Sequence, residues 1–319
     1  MHLVKVDAYD EANDDYTDAA NITGLPSFLL YDGSGELIGR WGGYGDAETF
    51  LARQDGFLAE PMSIDARRER FQAEPSYGDA LLLWAAARST DSWDEALHSI
   101  QQADALRAEG TPDHDYDIFV TYLAAAMDEA AELEPTLAAA DAALASPETT
   151  EEEQLKVARY LGYLDEQLEN NNFASEYRAR VLKATSGSTD PDIVRARNVL
   201  LVEKALEEGN KPAAAQYKRA TYEAGWEEDA QKLNSFAWWS FENEVELEDA
   251  EKIAAKGVEL AEPGSQRAMI LDTQAEIAFK LGKADEAIAL IEKAIEDDPD
   301  GDMYKNQLAR FKGEDEATE

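Results

Sequence analysis

Three alanines, Ala214, Ala250 and Ala287, recur at intervals of 36 and 37 residues. Ala250 is followed by Ala254 and Gly257, and Ala287 by Ile291 and Ala294. Residues three and four apart share one face of a helix, so each run presents a stripe of small or apolar side chains. Gly209 and Gly282 mark turns ahead of two of these helices, and Pro263 and Pro299 end two of the units. Ala237 lies on the first helix of the middle unit, and the third unit reads as a helix running from Ala214 to Ala224. A period of this length predicts helical hairpins. One hairpin cannot bury its apolar face alone, so several must stack.

Residues 281–294 (LGKADEAIALIEKA) carry the pattern most fully, and they resemble the tetratricopeptide repeat (TPR). The intervals are close to the ~34-residue period of that family. The repeat-packing positions are then Ala237, Ala250, Gly282, Ala287, Ala294 and Pro299. The resemblance implies a concave groove for an extended peptide or a partner helix, or an array serving only as a spacer. Trp238 and Trp239 are adjacent on one helix and point about 100° apart. They are groove candidates, although both as packing residues is the plainer reading. Residues 91–103 (DSWDEALHSIQQA) look like another second-half helix, and 104–205 read as hairpins of degraded period. Breaks fall at Gly110-Thr111-Pro112, Ser146-Pro147, Ser186-Gly187-Ser188 and Pro263-Gly264-Ser265. Thr150-x-x-Glu153 and Ser92-x-x-Glu95 have the form of capping boxes.

The first 58 residues follow a different grammar. Leu3 to Ala8 reads as a buried strand, residues 11–20 as a short helix, and Phe28-Leu29-Leu30-Tyr31 as a second strand. Asp32-Gly33-Ser34-Gly35 signals a hairpin turn, and residues 36–41 (ELIGRW) return before Gly42-Gly43. Asp46 is placed to cap a helix with apolar positions at Phe50, Leu51 and Phe57. Ala59-Glu60-Pro61 marks a boundary. This order, with Gly24-Leu25-Pro26-Ser27-Phe28 at its centre, resembles the second half of thioredoxin. The resemblance implies a cis Leu25–Pro26 bond and a loop, Leu25-Pro26-Ser27, that docks substrate backbone. It also implies a central strand between residues 3–8 and 28–31, which this segment does not supply. Buried backbone groups left without that neighbour cost ~1–3 kcal/mol each, so an upstream extension or another segment is expected to fill the gap.

The chain contains no cysteine, so as written it has no thiolate for disulfide exchange and no thiolate metal ligand. It has 68 acidic against 29 basic residues, a net charge of -39 spread along the whole length. Such a field repels nucleic acid and anionic membrane and favours basic partners or bound cations, although a solvated acidic surface screened by counter-ions is the plainer reading. No apolar run approaches the ~20 residues that span a bilayer, and the N-terminus lacks the pattern of a signal peptide. Asp298-Pro299-Asp300-Gly301-Asp302 begins like a calcium loop, but the twelfth position is Ala309 rather than glutamate. His2, His98 and His114 have no ligand spacing. No metal or cofactor is expected.

Over its whole length the sequence resembles bacterial proteins that join a thioredoxin-like domain to TPR repeats. Residues 234–239 (NSFAWW), 241–243 (FEN), 268–273 (AMILDT) and 303–308 (MYKNQL) carry that impression. The expected fold is mainly α, a TPR-like array with a small, incomplete α/β thioredoxin-like domain. The expected divisions are 1–58 thioredoxin-like, 59–206 irregular hairpins, 207–313 TPR repeats and 314–319 an acidic tail. Two functions follow. One is a non-catalytic scaffold, with a groove for a protein or basic peptide and a redox-dead thioredoxin-like remnant. The other is a thiol–disulfide oxidoreductase whose Cys-x-x-Cys half lies upstream, in which case a targeting signal upstream would decide between the cytoplasm and export.

Overall fold

The computed structural model describes residues 4–43, 47–168 and 173–314. The chain is mainly helical, with sixteen α-helices and one two-stranded sheet among the described residues. Two compact units divide it, residues 1–177 and 178–319.

In the first unit Asp10 accepts from the Ala12 N–H at 3.0 Å and starts a 3-10 turn, Glu11–Asn13, that runs into helix α1, Asp14–Ala19. Strand β1, Ser27–Tyr31, pairs antiparallel with β2, Leu37–Gly42, with Phe28 opposite Trp41 and Leu29 opposite Arg40. The register shifts between Leu30 and Tyr31. Asp32 organises the turn: its Oδ1 accepts from Ser34 N at 2.8 Å, Ser34 Oγ at 2.7 Å and Glu36 N at 2.9 Å. Helix α2, Ala47–Ala59, lays Phe57 across β2, where a Cβ on Gly39 would come within 2.5 Å of the ring. That contact requires glycine.

The expected strand at residues 3–8 does not form over the described residues 4–8. An extended segment gains nothing from β geometry without a neighbouring ladder, and residues 4–7 lie exposed. Leu3, the Asp46 cap, His2 and the tail beyond 314 lie outside the described residues.

The hairpin is not free-standing. Leu30, Ile38, Trp41 and Phe57 share a core with Leu82 and Ala85 of helix α4, Tyr77–Arg88, which follows α3, Ile64–Ala73. Arg40 fastens the same contact, donating to Ser89 Oγ at 2.8 Å, Ala20 O at 2.9 Å and Asn21 O at 2.8 Å. Helices then pair: α4 with α5, Trp93–Leu106, and α6, Asp115–Met127, with α7, Leu133–Ala145. Helix α8, Glu151–Gln167, opens with a complete capping box from Thr150 and Glu153, as expected. The counterpart at Ser92 is not formed. Glu95 is drawn instead to Arg68, accepting from its Nε and Nη2 at 2.5 and 2.9 Å, and a charged donor outcompetes a neutral backbone N–H. Helix α9 spans Ala174–Ala184.

In the second unit α10, Pro191–Glu207, pairs with α11, Lys211–Arg219; α12, Ala230–Asn243, with α13, Leu247–Leu260; and α14, Ser265–Lys280, with α15, Ala284–Asp297. Helix α16, Asp302–Lys312, packs on α15. Helix α11 stops at Arg219, short of the expected Ala224, because the chain turns there toward the 3-10 segment Trp226–Glu228. Ala214, Ala237, Ala250, Ala254, Ala287 and Ala294 are fully buried. A Cβ on Gly257 would lie 3.2 Å from Ile270 Cγ2, so α13 and α14 touch through almost no side chain.

Candidate functional site

The first unit contains a cleft of about 820 Å³ bordered by α2, α3, α4 and the start of α6. Its apolar surface comes from Ala52, Gly56, Leu81, Leu82 and Trp84. One end is an ion-pair network. Arg67 donates to Asp79 Oδ1 at 2.5 Å and to Glu60 O at 2.9 Å, while Arg70 reaches both oxygens of Asp79 and pairs with Glu60. Burial alone would raise the Asp79 carboxyl, but hydrogen bonds from Arg70 and Arg67 more than reverse it, and the group sits below its ordinary value. At the other end His114 bridges Tyr77 Oη, 3.1 Å from Nε2, and Asp117 Oδ2, 3.0 Å from Nδ1. The acids and bases of this network are paired with one another.

A smaller cavity of about 210 Å³ shares Arg53 and Trp84 with this cleft and adds Trp41, Gly42, Gly43, Ala85 and Arg88. Trp84 is held in place by its indole N–H, which donates to Thr121 Oγ1 at 3.0 Å.

In the second unit the structure places the two adjacent tryptophans in different surroundings. Trp239 packs with Phe236, ring centroids 5.9 Å apart, in a cluster with Trp226 and Tyr222. Lys218 Nζ lies 5.6 Å from its ring, and burial pulls that ammonium below its ordinary pKa. Trp238 is 38% exposed and meets Phe241 at 5.2 Å. Met269 on α14 and Met303 on α16 are also exposed. Gly282 has φ +80° at the turn before α15, and Pro299 lies exposed between α15 and α16. The Leu25–Pro26 bond is cis. Leu25 is exposed beside it, Ser27 Oγ donates to Gly24 O at 2.6 Å, and Pro26 O accepts from Gly43 N at 2.9 Å.

Sequence reasoning passed over a buried acidic pair on α14. Gln307 Nε2 donates to Asp272 Oδ1 at 2.7 Å and also reaches Glu276, which Arg310 engages as well. Burial, with Glu276 adding to it, lifts the Asp272 carboxyl to about 6. The signal was present: Asp272 interrupts the apolar run Met269-Ile270-Leu271. Among the described residues no group of three or more His, Cys, Asp or Glu is arranged to hold a metal ion, and no helix is long and apolar enough to cross a membrane.

No protein-family model and no curated protein matches the sequence. Among solved structures, a tetratricopeptide repeat protein from Parabacteroides merdae is similar at 15% identity and a TM-score of 0.42, covering 83% of this chain and 96% of that one. YrrB, described as a TPR protein with an unusual peptide-binding site, is similar at 16% identity and a TM-score of 0.33, covering 77% of this chain and 98% of its own. Both scores lie below 0.5, so the function of this chain is read from its own hairpins.

Proposed function

We propose that this chain is a non-catalytic, TPR-like helical scaffold that binds a protein or peptide partner, and that residues 1–58 are a thioredoxin-like remnant without redox chemistry. One observation carries the reading. Successive hairpins of the second unit meet through fully buried alanines at repeat spacing, Ala250 with Ala254 and Ala287 with Ala294, while Trp238 on the first helix of a hairpin stays outside the core. Small residues hold the stack together, so the large aromatic is left for another surface. The net charge of -39 favours a basic partner. The Leu25-Pro26-Ser27 loop, with Leu25 exposed, is a second place where an extended chain would lie. The test is selection of a random displayed peptide library on the intact chain. Enrichment of Lys- or Arg-containing peptides, at least tenfold weaker on Trp238→Ala at unchanged melting temperature, is expected. No enrichment over a charge-matched control, or equal binding by the variant, rejects the reading.

The alternative, an oxidoreductase whose Cys-x-x-Cys half lies upstream, draws on one feature: among the described residues β1 pairs only with β2, leaving its other edge open to a strand. Intact mass and N-terminal sequence of the protein from its native cells test it. An added segment with Cys-x-x-Cys supports it, and an added segment without cysteine, or none, rejects it.

A further inference from the structure

The chain carries 68 acidic side chains to 29 basic ones, so two arginines gathered at one small cavity are an anomaly of charge. Arg53 and Arg88 both line the 210 Å³ cavity, and both lie against the Trp84 ring, their guanidinium carbons 5.9 and 5.3 Å from its centroid. Arg88 is the telling one. No hydrogen bond or ion pair holds its guanidinium among the described residues, although elsewhere in this unit Arg67, Arg68 and Arg70 each hold a carboxylate. Burial pulls its pKa below the ordinary value; Asp117 supports its charge and Arg53 opposes it. A desolvated cation beside a second cation is a cost that packing does not explain, because an apolar side chain of the same length would fill the space without it. Aromatic contact returns about 0.5–2 kcal/mol at most.

The rest of the wall defines what would relieve this. Trp41, 3% exposed, has a buried indole N–H with no acceptor, and it is a wall residue of the same cavity. Ala85 and the Trp84 ring give the cavity an apolar face. The volume is on the order of ten waters' worth, too large for a monatomic ion and large enough for an anion with a carbon body.

We propose that the Arg88–Trp84–Arg53 cavity, between β2, α2 and α4, is a binding site for a small organic carboxylate. The guanidinium of Arg88 takes the carboxylate, and the ligand's carbon body lies on Trp84 and Ala85. A guanidinium suits a planar carboxylate because two parallel N–H donors match its two oxygens. The apolar walls give the carbon body an advantage over an inorganic anion. This site is separate from the peptide surface proposed for the second unit.

The test is a titration of the full chain with benzoate at constant ionic strength, chloride making up the balance, followed by the indole N–H resonances. The chain has six tryptophans, so Trp41→Phe and Trp84→Phe assign the two signals. Saturable movement of both is expected, with benzoate at least tenfold tighter than inorganic phosphate. Arg88→Gln is expected to weaken benzoate at least tenfold while the melting temperature holds or rises, since the variant removes a desolvated charge. A merely structural arginine would show the opposite pair of effects: unchanged benzoate response and a lower melting temperature. Should Arg88→Gln not fold, Arg53→Gln serves as the second variant, with weakening of benzoate again required. Movement that stays linear and equals that caused by chloride overturns the proposal. Tighter binding of phosphate than of benzoate overturns the carboxylate assignment.

Discussion

Asp272 is a carboxyl in an apolar neighbourhood, and its consequences can be worked out from charge alone. Its ordinary pKa is 3.8, and in the fold it rises to about 6 because burial disfavours the anion and Glu276 adds repulsion. The folded state therefore binds more protons than the unfolded chain between those two values, and stability falls as pH rises through that window. A shift of that size corresponds to about 3 kcal/mol. Asp272→Asn is expected to raise the stability of the second unit at pH 7 and to flatten its dependence between pH 4 and 6; denaturant melts at both pH values check it, and an unchanged slope refutes the account. Asp79 has the opposite sign. Its carboxyl is held below the ordinary 3.8 by Arg70 and Arg67, so the stability it contributes is present above that value and is lost as pH falls through the folded one. Removing one partner of this buried pair, as in Asp79→Ala, leaves Arg67 without its carboxylate and is expected to cost about 3–5 kcal/mol. At this scale the sequence disclosed who is buried but not with whom. Asp272 stood out in its run, but Gln307 lies 35 residues away, and no local pattern connects them.

The elements were more legible. Alanine runs, Gly turns and Pro stops placed the hairpins of the second unit because a helix face and a turn conformation are local properties. Gly282 takes φ +80°, a region costly to any side chain, so Gly282→Ala is expected to destabilise by about 1 kcal/mol with little change in the helices it joins. Gly257→Ala acts differently. Its new methyl would press on Ile270 Cγ2 at 3.2 Å and Ala230 O at 3.4 Å, so the expected loss of about 1–3 kcal/mol comes from overpacking two elements and should be partly relieved by Ile270→Leu, which lacks that branch methyl. Chemical denaturation of the single and double variants separates the two accounts. What failed to be legible was where an element needed something distant. Residues 4–8 have strand composition without a ladder partner, and Glu95 matched a capping pattern but belongs to Arg68. Composition specifies a tendency, and partners decide whether it is realised.

For the whole molecule the dominant quantity is charge. Many of the 29 basic residues are spent on bridges between helices: Arg219 to Asp249, Glu251 to Lys283, Arg267 to Asp297. Such surface pairs contribute little each, and they leave the net charge of -39 unrelieved. Screening acts on both, but the excess of like charge outweighs the pairs. Raising potassium chloride from 0.05 to about 0.5 M is therefore expected to raise the melting temperature by a few degrees. Calorimetry showing a fall would mean that the ion pairs dominate instead.

Arg40 has a consequence for time rather than for energy. Its guanidinium grips the carbonyls of Ala20 and Asn21 and both oxygens of Ser89, and among the described residues no carboxylate. The segment before β1 has no buried residue of its own in the 3-10 turn or α1, so Arg40, with the longer contact from Thr23 Oγ1 to Ser89 O at 3.5 Å, latches it to the C-terminal end of α4. Amide hydrogens of residues 14–21 should then exchange together with deuterium, at a rate set by how often Arg40 lets go, and faster than those of α4 itself.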